Sequence, residues 1–439
     1  MSVDTMDTTD AVAFVHSATL RELPSSVERA VRVRVLDTLA AMTAGYRQDG
    51  IDIVRRYALD RFGGESTATL FDGSGTRVHP EGATLANSTA ANALDIDDGH
   101  REVKGHPAAV VVPAALATAE SEDSTVETLL DAVYVGYEIG VRAGLAIHHL
   151  DGVYTGTGSW GAVGAAAAVA RLRDFPTERT AHALGIAEYH APRTPIMRGV
   201  ERPGMTKDGI GWGSYVGAVS AQLAASGFTG SGTVFDEVDT GVVAPFGDVH
   251  HVTEAYLKPY PCCRWVQPGV EAALSLAEST AIDPTSVETV RVHTFEEATH
   301  LRTRSPDSPE EAQYSYPFPV ATALVRGRFT QAEHASDVLS DPDILALSDA
   351  VELRVDEALD GRFPGDCLAR LELDTESETY ASDVTRPPGA REQPLADDVR
   401  REKARRLVTP TLPPSAIEKT ERRLRDSASV ATLLSPWRT

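Results

Sequence analysis

Two stretches of this chain are built mostly from small side chains. "GSWGAVGAAAAVARLR" (158–173) and "GWGSYVGAVSAQLAASGF" (211–228) place alanine, glycine or serine at most positions. Alanine is the strongest helix former. Small residues at helical spacing let neighbouring helices approach closely. Both stretches therefore predict helices buried in a helical core. Two longer segments support that core. "SSVERAVRVRVLDTLAAMTAGY" (25–46) opens on a Ser25/Glu28 capping-box pattern. "DSTVETLLDAVYVGYEIGVRAGLAIHHL" (123–150) opens on Ser124/Glu127. Both then carry apolar residues at the helical period.

The pattern changes near residue 255. "SVETVRVHTF" (286–295), "AVELRVDEA" (350–358) and "CLARLELDT" (367–375) alternate as strands with one buried face. A helix is expected over 310–326, between the first two. "TRPPGAREQPL" (385–395) is a proline- and glycine-rich connection. Helical segments near 396–407 and 415–426 follow and can cap either domain. The predicted architecture is mainly α plus α+β. A large all-helical domain takes residues 1–255 plus 396–439, and a smaller α+β domain takes residues 256–395.

Charge narrows the function classes. The net charge is −23, from 64 acidic and 41 basic residues. Five of the basic residues are lysine: Lys104, Lys207, Lys258, Lys403 and Lys419. An acidic, lysine-poor surface fits a halophilic protein, kept soluble in salt that screens self-repulsion. Drift in an arginine-rich genome is the plainer explanation. Nucleic acid is not expected as a partner, because phosphate binding needs basic stripes that are absent here. No apolar run approaches the ~18 residues of a membrane span. The acidic start "MSVDTMDTTDAVAFVHSATL" has no basic or apolar leader. A cytoplasmic protein is expected. Cys262, Cys263 and Cys367 have no spacing for structural zinc or an iron–sulfur cluster.

Chemistry concentrates in "ANALDIDDGHREVKGHP" (91–107). A helix over 83–98 would put Asp95 and Asp98 on one face and turn Asp97 away. Gly99 would end it, and Pro107 would start the next helix. His106 can then fold back toward Asp95, a pairing suited to general acid/base work. An acidic helix end in water is the bland alternative, and no second cluster completes a metal shell.

A second constellation is "IAEYHAPRTPIMRGVERPGMTKDGIGWG" (186–213). It sets Arg193, Arg198, Lys207 and Asp208 before a helix start, an arrangement suited to an anion. The glycines match no nucleotide-binding fingerprint. In "YLKPYPCCRWVQPGVEAALSLAES" (256–279), Lys258 and Arg264 flank a stiff turn. Cys263 precedes a helix there, where packing outweighs thiolate chemistry. "GVYTGTGSWGAVG" (152–164) is an oxygen-binding loop or a tight helix entry. "EEAQYSYPFPVATAL" (310–324) places tyrosines near a helix start, which is more often core than catalytic.

In order along the chain, "ALDIDDGH", "GHPAAVVVPAALA", "GYEIGVRAG", "GMTKDGIGWG", "KPYPCCR", "AQYSYPF" and "PPGAREQPL" resemble the MmgE/PrpD family. That family includes 2-methylcitrate dehydratase and cis-aconitate decarboxylase. The resemblance implies a large helical domain with a smaller α+β domain, a homodimer, and a site between the domains without metal or organic cofactor. It points to Asp95, His106 and Lys207 as catalytic. Lys258, Arg264, Cys263, Arg198 and Thr155 are the expected substrate-binding residues. Four positions depart from the pattern: Gly99 for threonine, Thr155 for histidine, Gln267 for histidine, and Phe318 near a tyrosine of the decarboxylase pattern. The leading expectation is a cofactor-independent lyase dehydrating a 2-methylcitrate-like hydroxy polycarboxylate, a reaction of propionate metabolism. A decarboxylase or an epimerase/isomerase on a related acid is the close rival. A catalytically inactive ligand-binding member is the rival of another class.

Overall fold

The computed structural model describes residues 6–64, 66–280, 282–426 and 429–438. The helical part is built around Thr157–Leu172, which packs against Val126–Asp151, Pro107–Ser121, Thr177–His190 and Ile210–Ala225. The small residues explain the crowding. A Cβ on Gly164 would lie 2.4 Å from the Gly136 carbonyl oxygen, and one on Gly217 would lie 2.4 Å from that of Ala162. Helix backbones touch at these points, so a methyl group has no room.

Helix entries differ from the sequence expectation. Val126–Asp151 is capped by the Thr125 hydroxyl, which accepts from the Thr128 N–H, not by Ser124. Ser25–Gly45 has no side-chain cap; Glu28 instead pairs with Arg32 at 2.6 Å. The expected helix over 310–326 divides into Pro309–Gln313 and Pro317–Arg326. Tyr314 leaves the helical region, φ −107° and ψ 24°, and Pro317 has no N–H to carry the first helix's hydrogen-bond ladder onward.

Two large hydrophobic cores form, with two small satellite clusters around Leu70 and Ile51. One gathers the helices up to Ala255 together with residues from Ala404 to Trp437. The other runs from Cys262 to Leu373 and takes in Val200. The second surrounds a four-stranded sheet of Val287–Thr294 (β5), Val351–Val355 (β6), Arg370–Thr375 (β7) and Thr379–Ala381 (β8), in the order β6-β5-β7-β8. β5 and β6 are parallel, and the other pairs are antiparallel. Register sets Val290 opposite Leu373 and Val292 opposite Leu371, all four fully buried. That is the alternation read in the sequence.

The earlier strands are two-residue pairs. Ala68–Thr69 (β1) pairs with Arg77–Val78 (β2). Asp98–Gly99 (β3) pairs antiparallel with Tyr256–Leu257 (β4), which ties the two parts of the molecule together. Helix Asp397–Val408 returns to pack on Ser25–Gly45, where the buried Lys403 ammonium meets Asp37 at 2.7 Å. No helix among the described residues is long and apolar enough to cross a membrane.

Candidate active site

The Ala-rich helix Pro80–Ala91 stops seven residues earlier than its sequence suggests. Asn92 and Asp97 stop it. The Asn92 amide donates to Asp97 Oδ1 at 2.9 Å, and the Asp95 N–H bonds the Asn92 carbonyl at 3.0 Å. Short polar side chains offer the backbone such local alternatives to a helix. Asp95 then takes a left-handed conformation, φ +50°, which aspartate tolerates better than most residues. The chain reverses into β3. Asp95 and Asp98 therefore share no helix face, and Asp97 points into the cluster rather than away from it.

The β3–β4 pairing places Lys258, the residue after β4, beside this turn. Its ammonium donates to Asp95 Oδ1 at 2.7 Å, and both groups are 1% exposed. Two further contacts fix the arrangement. The Leu257 N–H donates to the Gly389 carbonyl at 3.0 Å, so the "PPGAREQPL" segment braces β4. A Cβ at Gly389, where φ is +95°, would sit 1.9 Å from the Leu257 oxygen, so only glycine fits. From behind, Lys403 donates to the Ile96 carbonyl at 2.7 Å.

His106 completes the cluster. Its Nδ1 lies 2.8 Å from the Asp98 carbonyl oxygen and 3.1 Å from Asp97 Oδ2. Both neighbours only accept, so Nδ1 carries a proton. Nε2 faces Asp95 Oδ1 at 3.4 Å and Asp208 Oδ2 at 4.0 Å. The His106 backbone N–H donates to the Thr157 hydroxyl, and that hydroxyl donates to Asp208 Oδ2 at 3.4 Å. The "TGTGS" loop thus orients both the imidazole and the second carboxyl group.

Proton affinities diverge within this small volume. Burial disfavours the Asp95 carboxylate, but Lys258, then Lys207 and His106, outweigh it and hold Asp95 far below the carboxylate range. Burial raises Asp208, with only partial relief from His106. Burial also opposes an imidazolium at His106, yet Asp97 prevails and lifts the histidine above its ordinary value. Asp98 is pushed up to about 6, by burial against the pull of Arg34. It accepts from Tyr137 at 2.9 Å and from the Ala108 N–H at 3.1 Å, and so anchors the helix Pro107–Ser121.

A cleft of about 760 Å³, its mouth included, opens over His106 between the two parts. Asp95, His106, Asp208, Lys104 and Arg101 line it, together with Lys258, Cys263, Arg264, Tyr256 and Tyr314 from the chain beyond residue 255. Burial raises the Cys263 thiol to about 12, so it contributes packing and not a thiolate. Arg264 lies over the Tyr256 ring at 4.2 Å and donates to the Pro387 and Pro388 carbonyls at 3.1 and 3.0 Å. Lys207, expected to be catalytic, is not among the residues lining the cleft; it reaches Gln313 Oε1 and lies 4.9 Å from the ring of Tyr314, which does line it. Asp95, Asp97 and His106 present ligand atoms within 4.8 Å of one another. The Lys258 ammonium already fills the cation's place beside Asp95.

Two expected substrate contacts lie elsewhere. Arg198 is solvent-exposed on the short helix Ile196–Glu201, whose Ile196 and Val200 line the cleft. Thr155 is buried behind the wall, where its hydroxyl bonds His148 Nε2 at 3.1 Å and Ser159 at 2.5 Å. Sequence reasoning missed three contributors. Asp208 was noticed only as a neighbour of Lys207. Asp97 was turned the wrong way by the helix assignment. Lys104 lies on the Tyr154 ring at 3.5 Å, and its scarcity as a residue type was the available signal.

Two family models divide the chain between residues 253 and 260, the second reaching past Ala404 into residues that pack in the first core. The MmgE/PrpD N-terminal domain matches residues 9–253, and the MmgE/PrpD C-terminal domain matches residues 260–426. The chain belongs to the MmgE/PrpD family. It is 25% identical over 459 residues to the cis-aconitate decarboxylase-like protein oryM of Aspergillus oryzae, covering 94% of this chain and 93% of that protein. It is 26% identical over 414 residues to a cis-aconitate decarboxylase of Aspergillus terreus, covering 84% and 83%. This MmgE/PrpD member is thereby related to lyase-type enzymes.

Its departures from the MmgE/PrpD pattern have physical counterparts. A Cβ at Gly99 would come within 2.4 Å of the Tyr256 ring, so glycine makes room for a tyrosine that lines the cleft. Gln267 donates to the Tyr260 and Cys262 carbonyls at 3.1 and 3.2 Å and holds the "KPYPCCR" turn. Phe318 is fully buried in the smaller core, while Tyr314 lines the cleft.

Proposed function

We propose that this chain is a cofactor-independent carbon–oxygen lyase, dehydrating a 2-methylcitrate-like hydroxy polycarboxylate. The observation that carries the reading is His106 Nε2 between two buried carboxyl groups of opposite proton affinity, Asp95 and Asp208. Dehydration requires a base for a C–H proton α to a carboxylate and an acid for the leaving hydroxyl. Pairs of groups with pKa values driven apart suit that division. In this reading Asp208, the more basic carboxylate, takes the carbon-bound proton. The His106 imidazolium protonates the departing hydroxyl. The Asp208 proton then crosses to Nε2, 4.0 Å away in the resting site, and restores the starting state. Asp95 stays ionised under Lys258 and holds the imidazolium in place.

Lys104, Lys258 and the arginines of the cleft bind the substrate's carboxylates and stabilise the enolate-like charge. Local cations matter because a chain of net charge −23 repels an anion at long range. Decarboxylation is the second reading, favoured by the names of the Aspergillus relatives. It needs a proton donor but no base. The test is incubation in high salt with methylcitrate, citrate and cis-aconitate, following alkene absorbance and carbon dioxide. Alkene without gas supports dehydration. Gas supports decarboxylation, and loss of optical activity alone supports epimerisation. Silence across the panel with calorimetric binding of one acid would leave a ligand-binding protein.

A further inference from the structure

On the same loop as His106, but outside the cleft lining, two histidine rings meet with nothing to bond. His100 follows β3 and is 1% exposed; His251 opens the helix His251–Glu254 and is 4% exposed. The rings stand edge to face with centroids 5.3 Å apart. All four of their nitrogens are buried without a hydrogen-bond partner. Buried polar atoms are rarely left so. The adjacent His250 shows the usual solution, with Nδ1 bonded to the Tyr134 hydroxyl at 2.9 Å. Glu102, on the surface of the loop, brings a carboxylate oxygen to the same point. One ligand atom from each of His100, Glu102 and His251 lies within 4.8 Å of the others.

We propose that His100, His251 and Glu102 bind one divalent transition-metal ion of the zinc class. Two imidazoles and a carboxylate are an established donor set for such an ion. Burial, and then nearby arginines, disfavour a proton on either ring. Those arginines are themselves compensated. Arg142 pairs with Glu138 at 2.5 Å, Arg101 with Glu392 at 3.1 Å, and Arg34 lies 3.6 Å from Asp98.

The ion's position gives it a consequence. The His100 N–H donates to the Gly105 carbonyl at 2.8 Å and closes a hairpin that carries Arg101, Lys104 and then His106. His251 leads into β4 and Lys258. A metal bridging the two would fasten the loop bearing the imidazole to the segment bearing the lysine.

The test strips the full-length protein with chelator and titrates it with zinc by calorimetry and with cobalt by absorption spectroscopy. The expected result is a single equivalent, a cobalt ligand-field band of low coordination, and a melting temperature that rises with metal. His251→Asn should abolish the equivalent. Glu102→Gln changes an exposed side chain that the fold does not need, and should weaken binding at least roughly tenfold. It keeps the test decisive if His251→Asn does not fold. His106→Gln should retain the equivalent. A folded wild type with no cobalt band, equal affinity in Glu102→Gln, or loss of binding in His106→Gln would overturn the proposal. The last would move the ion to Asp95 and Asp97, and the first would leave trapped water as the rings' partner.

Discussion

His106 and His100 stand on one short loop, are both buried, and are driven in opposite directions. The face with His106 meets three carboxyl groups, and its imidazole is pulled above the ordinary value, chiefly by Asp97 acting against burial. The face with His100 meets no carboxylate at hydrogen-bond distance among the described residues; burial, then Arg34, Arg101 and Arg142, lower it to about 3. Residue type is the same and both rings are buried, so surroundings alone drive their proton affinities apart. On the two proposals above, one loop would then serve chemistry with His106 and attachment with His100.

The sharpest way to break this contrast is to remove the cleft-side ring. His106→Gln should lower turnover by roughly 10²–10⁴-fold, the usual worth of a positioned acid or base, read as alkene formation at saturating substrate. Asp208→Asn should fall in the same range. Activity near wild type in either variant would detach the cluster from the chemistry.

The next effect is on stability. Lys258→Met strands the buried Asp95 carboxylate and should cost about 3–5 kcal/mol in chemical denaturation. Adding Asp95→Asn should recover much of that loss, because no unpaired charge remains. A double variant no more stable than the single one would mean that Lys258 serves packing rather than charge.

A smaller effect tests the sign of the His106 shift. Its folded value is raised, so its stabilising contribution is complete below about pH 6.5, the unfolded value. That contribution is lost as pH rises through the folded value. The stability gap between wild type and His106→Gln should therefore narrow from pH 6 to pH 9. A widening gap would show a ring held neutral, like His100. The smallest effect tests the acidic surface. Raising salt from about 0.1 to 1 M shortens the screening length from roughly 10 to 3 Å, and should raise the melting temperature of a protein with 64 acidic residues. A flat or falling curve would favour compositional drift over halophilic adaptation.

Much of this was legible in the residues. The alanine and glycine stripes announced backbone-close helices, and alternating β5 and β7 announced their buried faces. Lysine scarcity was the best pointer to the cleft. Lys104, Lys207 and Lys258 approach it, Lys403 braces its floor, and only Lys419 is exposed. The turn at 92–97 was hidden, because "ANALDIDD" continues the helical composition. The side-chain bond from Asn92 to Asp97 decides the local structure, and periodicity does not record it. Thr155 was placed by resemblance alone. Its hydroxyl is claimed by His148 and Ser159, neighbours four to seven positions away whose competition a motif does not express. Asp208 gained its character from burial against Thr157 and His106, residues far away in the chain.

The central claim is that the resting cleft holds His106 protonated beside an ionised Asp208. The pH dependence of kcat/KM for alkene formation addresses it directly. The account predicts a bell, rising as Asp208 loses its proton and falling only above the ordinary histidine value, with the rising limb lost in Asp208→Asn. A rate that keeps climbing through the alkaline range, with the same profile in Asp208→Asn, would contradict it.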